Sequence, residues 1–197
     1  MKILSAHFEL SAVNLEGCPA GSVPEFAFIG RSNVGKSTLL NLVAGKNGLA
    51  RVSRSPGRTR EINFFMMNDQ WRLVDLPGYG YAKVSKSRRA GFNEFVSSYL
   101  LERENLLCAF VLVDSRHSPQ KLDLEFVQWL VEASVPFVLV FTKADKNKPA
   151  AVRENVASFL TKMEDFSEGS PTIFTTSAKT REGRREILAF IGNVLQG

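Results

Sequence analysis

Short apolar runs recur along the chain, and each ends in a cluster of glycine, serine, aspartate or lysine. Phe26–Ile29 reads as a strand that runs straight into Gly30-Arg31-Ser32-Asn33-Val34-Gly35-Lys36-Ser37, with a helix starting over Thr38–Val43. Glu61–Met67 and Gln70–Asp75 predict two strands of a hairpin joined by a tight Asn68-Asp69 turn. Ser87–Glu102 predicts a helix. The unbroken apolar run Leu107–Asp114 has the character of a strand buried on both faces. Ser118-Pro119 offers an N-cap and first-turn proline for a helix that would bury Leu122, Phe126, Leu130 and Val131. Pro136–Thr142 and Pro171–Thr175 are the remaining strands. Pro149 opens a helix with Val152, Val156, Phe159, Leu160 and Met163 on one face, and Ile187, Leu188, Ile191, Val194 and Leu195 mark the last helix. This alternation predicts an α/β fold: a mixed six-stranded sheet with one antiparallel strand and helices on both faces. Residues 1–24, with Gly17, Pro19, Gly21 and Pro24, read as an arm packed on a core spanning 25–197.

Composition changes this picture little. With 197 residues, 44% of them hydrophobic and 23% charged, the chain can bury one full core without disulfide or metal staples. Cys18 and Cys108 are too far apart in sequence to suggest a disulfide framework, and a cytoplasmic location is expected. Met1-Lys2-Ile3-Leu4 passes into polar Ser5, His7 and Glu9, and the longest apolar runs are too short to cross a bilayer as helices, so no membrane role is expected. His7 and His117 stand alone, with no metal-ligand spacing around them.

Charge is more telling. Nine basic residues (Arg51, Arg54, Arg58, Arg60, Arg72, Lys83, Lys86, Arg88 and Arg89) face only Glu61, Asp69 and Asp75 in the same stretch. The surplus of six there exceeds the net charge of +5 on the whole chain, and points to an anionic partner such as nucleic acid.

The chemistry begins at residues 30–37, a complete G-x-x-x-x-G-K-S phosphate-binding loop between strand and helix. Its backbone N–H groups can curl around phosphates, Lys36 can reach the terminal phosphates, and the Ser37 hydroxyl can bind Mg²⁺. Asp75-Leu76-Pro77-Gly78 follows a strand, where a carboxylate can hold Mg²⁺ through water and a glycine N–H can meet a γ-phosphate. Thr142-Lys143-Ala144-Asp145 ends another strand. The Asp145 carboxylate can accept from guanine N1–H and the N2 amino group, neither of which adenine offers. Thr176-Ser177-Ala178-Lys179 closes the series, with small residues that let the Ala178 N–H approach the guanine oxygen. Thr59, in the Ser-, Gly-, Pro- and Arg-rich segment 51–60, could ligate Mg²⁺ while a γ-phosphate is present.

Read together, the spellings Gly30–Ser37, Gly57-Arg58-Thr59-Arg60, Asp75-Leu76-Pro77-Gly78-Tyr79-Gly80-Tyr81-Ala82 and Thr142–Asp145 resemble the EngB (YsxC/YihA) family of translation-factor-like P-loop GTPases. The resemblance extends to Phe8-Glu9-Leu10-Ser11 in the arm and covers essentially the whole chain. It implies a Ras-like GTPase fold and a bacterial GTPase that assists assembly of the large ribosomal subunit, acting on ribosomal RNA or precursor particles as a monomer, with Mg²⁺ and GTP or GDP. A link to the cell cycle and septation is a further expectation.

The implied nucleotide site comprises Gly30, Arg31, Ser32, Asn33, Val34, Gly35, Lys36, Ser37 and Thr38; Gly57, Arg58 and Thr59; Asp75, Leu76, Pro77 and Gly78; Thr142, Lys143, Ala144 and Asp145; and Thr176, Ser177, Ala178 and Lys179. Lys36, Thr59 and Gly78 form the expected catalytic set. Ser37, Thr59 and, through water, Asp75 are the expected Mg²⁺ ligands. Asn33 could help hold a K⁺ ion, as in related GTPases with asparagine there, or could simply make a hydrogen bond within the loop.

Two departures from the wider GTPase pattern matter. Thr142 stands where most GTPases have asparagine, so moderate nucleotide affinity is expected. Tyr79 stands where many place a glutamine that orients the attacking water, so slow intrinsic turnover is expected. Other G-domain roles, in tRNA modification or in a polymerising structural GTPase, remain the alternatives at this stage.

Overall fold

The computed structural model describes residues 1–50, 61–79 and 94–197. Its centre is β2 (Glu25–Gly30), every residue of which is buried. Side chains alternate along this strand: Phe26 and Phe28 enter one core layer, Ala27 and Ile29 the other. The neighbours of β2 are β4 (Trp71–Asp75) and β5 (Leu106–Asp114), both parallel to it. Beyond β5 lie β6 (Phe137–Thr142) and β7 (Ile173–Thr175), again parallel. On the other side β3 (Ile62–Met67) pairs antiparallel with β4, through a turn in which Asn68 and Asp69 both adopt left-handed backbone.

Among the described residues the sheet has seven strands, not the six expected. The seventh is β1 (Ala6–Ala12), contributed by the arm, which pairs antiparallel with β3 at the sheet edge. The order is β1-β3-β4-β2-β5-β6-β7, and β3 alone runs against the rest.

Helices cover both faces. On one, α1 (Lys36–Ala44) and α5 (Arg184–Val194) pack Leu39, Leu40, Ile187 and Ile191 against Phe26, Phe28 and Phe110. Phe28 and Phe110 stack with centroids 4.6 Å apart. On the other lie α2 (Glu94–Glu102), α3 (Lys121–Glu132) and α4 (Pro149–Met163), which bring Tyr99, Phe126 and Phe159 against Val74, Val111 and Phe141. Arg184 links the two helices of the first face: its Nε donates to the Leu42 carbonyl at 2.6 Å, supplying a partner for the open C-terminus of α1.

Helix α3 starts later than expected. It begins at Lys121 after extended Gln120, not at Ser118-Pro119. The inward face is therefore Asp123, Phe126, Val127 and Leu130, while Leu122 is 43% exposed and Val131 only partly buried. Leu122, Phe126 and Leu130 are spaced by four, which drifts around a helix of 3.6 residues per turn, and Leu122 falls off the inward face.

At the end of the sheet opposite the phosphate loop, fully buried Glu25 accepts hydrogen bonds from the Tyr99 hydroxyl at 2.8 Å and Arg103 Nη2 at 2.6 Å. Arg72 Nη1 also reaches it at 3.4 Å, and Arg72 Nε donates to Glu9 of β1 at 2.8 Å. Arg72 is thus buried and neutralised, so it drops out of the basic surplus. The other eight basic residues of that stretch lie outside the described residues. Cys18 and Cys108 are both buried and unbridged, and burial pushes the Cys108 thiol up to about 12. Among the described residues no helix is long and apolar enough to cross a membrane.

Candidate functional site: a nucleotide-binding face

Strands β2, β4, β5 and β6 all end on one side of the sheet, at Gly30, Asp75, Asp114 and Thr142. Ligands in open α/β sheets bind beyond such carboxyl ends. The loop after β2 turns tightly because only a hydrogen fits at Gly30. A methyl there would lie 2.8 Å from the Leu112 carbonyl oxygen and 2.9 Å from Val34 Cγ1. Asn33 (φ 64°) and Gly35 (φ 104°) are left-handed, and Gly35 caps α1. That curl, with the α1 N-terminus behind it, turns backbone N–H groups toward a bound anion.

Lys36 and Ser37 are the first two residues of α1. Lys36 Nζ donates to Asp75 Oδ1 at the end of β4. The ammonium and the Asp75 carboxylate therefore share one corner of the site, and Ser37 follows Lys36 on the same first turn of α1. Ser37 and Asp75 are hard oxygen donors of the kind Mg²⁺ takes. Gly78 lies against the loop: a methyl on it would sit 2.7 Å from the Gly30 carbonyl oxygen and 3.4 Å from the Ser32 nitrogen. Between Asp75 and Gly78, buried Leu76 donates its N–H to the Phe28 carbonyl at 3.0 Å, and Pro77 is partly buried. Thr38 is exposed on the first turn of α1.

The loop after β6 grips the phosphate loop from the side. The Thr142 hydroxyl donates to the Val34 carbonyl at 2.6 Å. It thereby makes a loop contact from the position where other GTPases carry asparagine. Lys143, itself left-handed (φ 60°), passes its stem near Gly35 and donates through Nζ to the Asn33 carbonyl at 2.6 Å and to Asp114 Oδ2 at 2.8 Å. Burial acts to raise the Asp114 carboxyl, but hydrogen bonds from Arg116 and Lys143 outweigh it and hold the group well below the usual carboxylate range.

Asp145 is oriented by the loop after β7. The hydroxyl of fully buried Ser177 donates to Asp145 Oδ1 at 2.7 Å, and Ser177 Oγ accepts from the Thr180 N–H at 3.1 Å. The Ser177 hydrogen bond is the main cause holding Asp145 below its ordinary value. Asp145 Oδ2 has no hydrogen-bond partner among the described residues, with Lys146 Nζ at 3.6 Å. The Ala144 N–H donates to the Thr176 carbonyl at 3.1 Å, tying the two loops together, and Ala178 and Lys179 are exposed beside them. One carboxylate oxygen is fixed and the other is buried without a hydrogen-bond partner among the described residues, so the carboxylate has acceptor capacity left for N–H donors.

A family model described as "50S ribosome-binding GTPase" matches residues 25–143. The "Probable GTP-binding protein EngB" of Christiangramia forsetii is 48% identical over 194 residues, 98% of each chain. That of Porphyromonas gingivalis is 46% identical over 196 residues, covering 100% of this chain and 98% of its own. The chain belongs to the EngB family of GTP-binding proteins. A crystal structure of a probable GTP-binding protein engB matches with TM-score 0.66 at 27% identity, over 87% of this chain and 98% of that one. The apo elongation factor SelB of Methanococcus maripaludis matches with TM-score 0.61 at 17% identity, over 88% of this chain and 33% of that one, a likeness of fold alone. As an EngB family member with the P-loop GTPase fold, the chain binds GTP and GDP and is a GTP-hydrolysing enzyme.

Two features of this EngB site escape a motif reading. Tyr79 does not present its phenol as a stand-in for glutamine. Its ring is buried and stacked on Phe126 at 4.3 Å, and its hydroxyl donates to Asp123 Oδ1 at 2.7 Å. Asp123 also accepts from Arg31 Nε of the phosphate loop at 2.9 Å. Burial raises the Asp123 carboxyl above its ordinary value, against the lowering effect of both donors. Asp123 and Asp114 carry no motif of their own. The only signal for Asp114 in the sequence is a carboxylate closing a buried apolar strand. Gly57, Arg58 and Thr59 lie outside the described residues.

Proposed function

We propose that this GTPase assists assembly of the large ribosomal subunit, binding precursor particles through their RNA in its GTP state and leaving after hydrolysis. The observation that carries this reading is the match of residues 25–143 to the family model described as a 50S ribosome-binding GTPase. The eight basic residues between Arg51 and Arg89 that remain after Arg72 is set aside give it an electrostatic basis. They lie in and around the two segments, near Thr59 and after Gly78, that would sense a γ-phosphate. Co-sedimentation with large-subunit precursors, in a non-hydrolysable GTP analogue, tests the RNA contact. Binding that loses on the order of 10³-fold in affinity between about 50 and 200 mM salt is expected for several phosphate contacts. Association indifferent to salt counts against it.

Within the site, Asp145 recognises guanine through the acceptor capacity its carboxylate keeps beyond the Ser177 hydrogen bond, while Lys36 and the loop N–H groups stabilise the phosphates. Ser37, Thr59 and, through water, Asp75 would hold Mg²⁺, which would supply neutralising charge to the phosphate oxygens. Hydrolysis is then positioning plus electrostatics. With the Tyr79 hydroxyl committed to Asp123, water positioning falls to other groups, and intrinsic turnover is slow. Asn33 would help hold K⁺, which would supply positive charge beside the phosphates. GTP turnover should therefore be faster in KCl than in NaCl at matched ionic strength, and equal rates would exclude that role for Asn33.

A further inference from the structure

Asp123 sits in the first turn of α3, only 1% exposed, and among the described residues two side chains donate to it, one from the phosphate loop and one from the segment after β4. Arg31, the second residue of the phosphate loop, donates through Nε to both oxygens, at 2.9 and 3.1 Å. Tyr79, the residue after Gly78, donates through its hydroxyl at 2.7 Å. A buried carboxylate is costly to keep unless donors surround it. Here those donors lie beside Gly30 and Gly78, whose backbones are in close contact. The stacked Tyr79 and Phe126 rings leave the phenol little freedom to swing away from α3.

We propose that Asp123 is a positioning residue: by holding Arg31 and Tyr79 together it clamps Gly78 against the phosphate loop, so that the Gly78 N–H is set toward a γ-phosphate before GTP arrives. GDP carries no γ-phosphate and gains nothing from the clamp. The clamp therefore adds to the preference for GTP and to the rate of its hydrolysis, and not to nucleotide binding in general. This inference rests on the GTPase site and not on the ribosomal reading. Wild-type association with ribosomal particles can fail without affecting it.

Tyr79→Phe keeps the stacked ring and removes only the donor. Asp123→Asn keeps the shape and removes the charge. Titration of each full-length variant with fluorescent GDP and a non-hydrolysable GTP analogue, alongside steady-state GTP hydrolysis and thermal melting, separates positioning from folding. The expected result is about a tenfold loss of affinity for the GTP analogue, the scale of one charge-assisted hydrogen bond, with lower kcat and nearly unchanged GDP affinity. Equal weakening of both nucleotides would make Asp123 a structural residue only, and no change in either would remove it from the mechanism. If Asp123→Asn fails to fold, Tyr79→Phe decides by the same two readings.

Discussion

Replacing Asp145 by asparagine is expected to weaken GTP and GDP on the order of 10³-fold and to turn the preference toward xanthine nucleotides. Ser177 holds Asp145 Oδ1 at 2.7 Å, while Oδ2 has no hydrogen-bond partner among the described residues. An asparagine can keep the Ser177 hydrogen bond through its own Oδ1. Its amide nitrogen then takes the place of the unpartnered oxygen and presents donors where acceptors stood. Guanine would meet donor against donor. Xanthine, with a carbonyl in place of the amino group at C2, would find a match. Equilibrium titration with fluorescent GDP and xanthosine diphosphate checks the exchange. An unchanged ratio of affinities would show that another group reads the base.

Gly78→Ala is the second large effect. Its added methyl would lie 2.7 Å from the Gly30 carbonyl oxygen and 3.4 Å from the Ser32 nitrogen. Both are backbone atoms of the tightly curled loop, and neither can swing aside as a side-chain tip would. The alanine variant must therefore move its own backbone away from the phosphate loop, taking the N–H of residue 78 with it. Loss of one well-placed donor to developing charge costs about 10²–10³-fold in rate. GTP hydrolysis should fall by that amount while GDP binding is largely kept, because the Lys36, Thr142 and Asp145 contacts are elsewhere. Single-turnover hydrolysis with saturating enzyme reads the chemical step directly. A rate within a few-fold of wild type would mean that Gly78 does not serve the γ-phosphate.

Much of this site is legible in the chain because its parts are local. Residues 30–37 carry their own turn, cap and helix start, and each of the Asp75, Thr142 and Thr176 motifs ends or follows an apolar strand. What joins the parts is non-local and less visible. The Thr142 hydroxyl finds Val34 across 108 positions of sequence, and Arg31 finds Asp123 across 92. Nothing near Asp123 marks it as interior, since a charged residue beside apolar Leu122 reads as the solvent side of a helix. The donors Arg31 and Tyr79 help make its burial sustainable. The arm was readable in principle. Phe8, Leu10 and Ala12 alternate with His7, Glu9 and Ser11, a period-two pattern. A register irregularity between Phe8 and Leu10 breaks the strict alternation, and Phe8 is 52% exposed at the sheet edge, so the strand lacks a clean apolar face.

The buried cluster of Glu25, Arg72 and Arg103 has the same lesson for charge. A count along the chain places Arg72 in a basic surface, yet the fold folds it inward against Glu9 and Glu25. The basic residues left for an anionic partner are those of 51–60 and 80–89.

The central claim is a switch directed at the ribosome, and comparing nucleotide states of the wild-type chain tests it most directly. Co-sedimentation with large-subunit precursors at fixed, moderate salt would be measured with a non-hydrolysable GTP analogue and with GDP. The account predicts at least tenfold tighter association with the GTP analogue, on the order of 1.4 kcal/mol or more of coupling between the γ-phosphate and the particle. Equal association in the two states, or none in either, would contradict it.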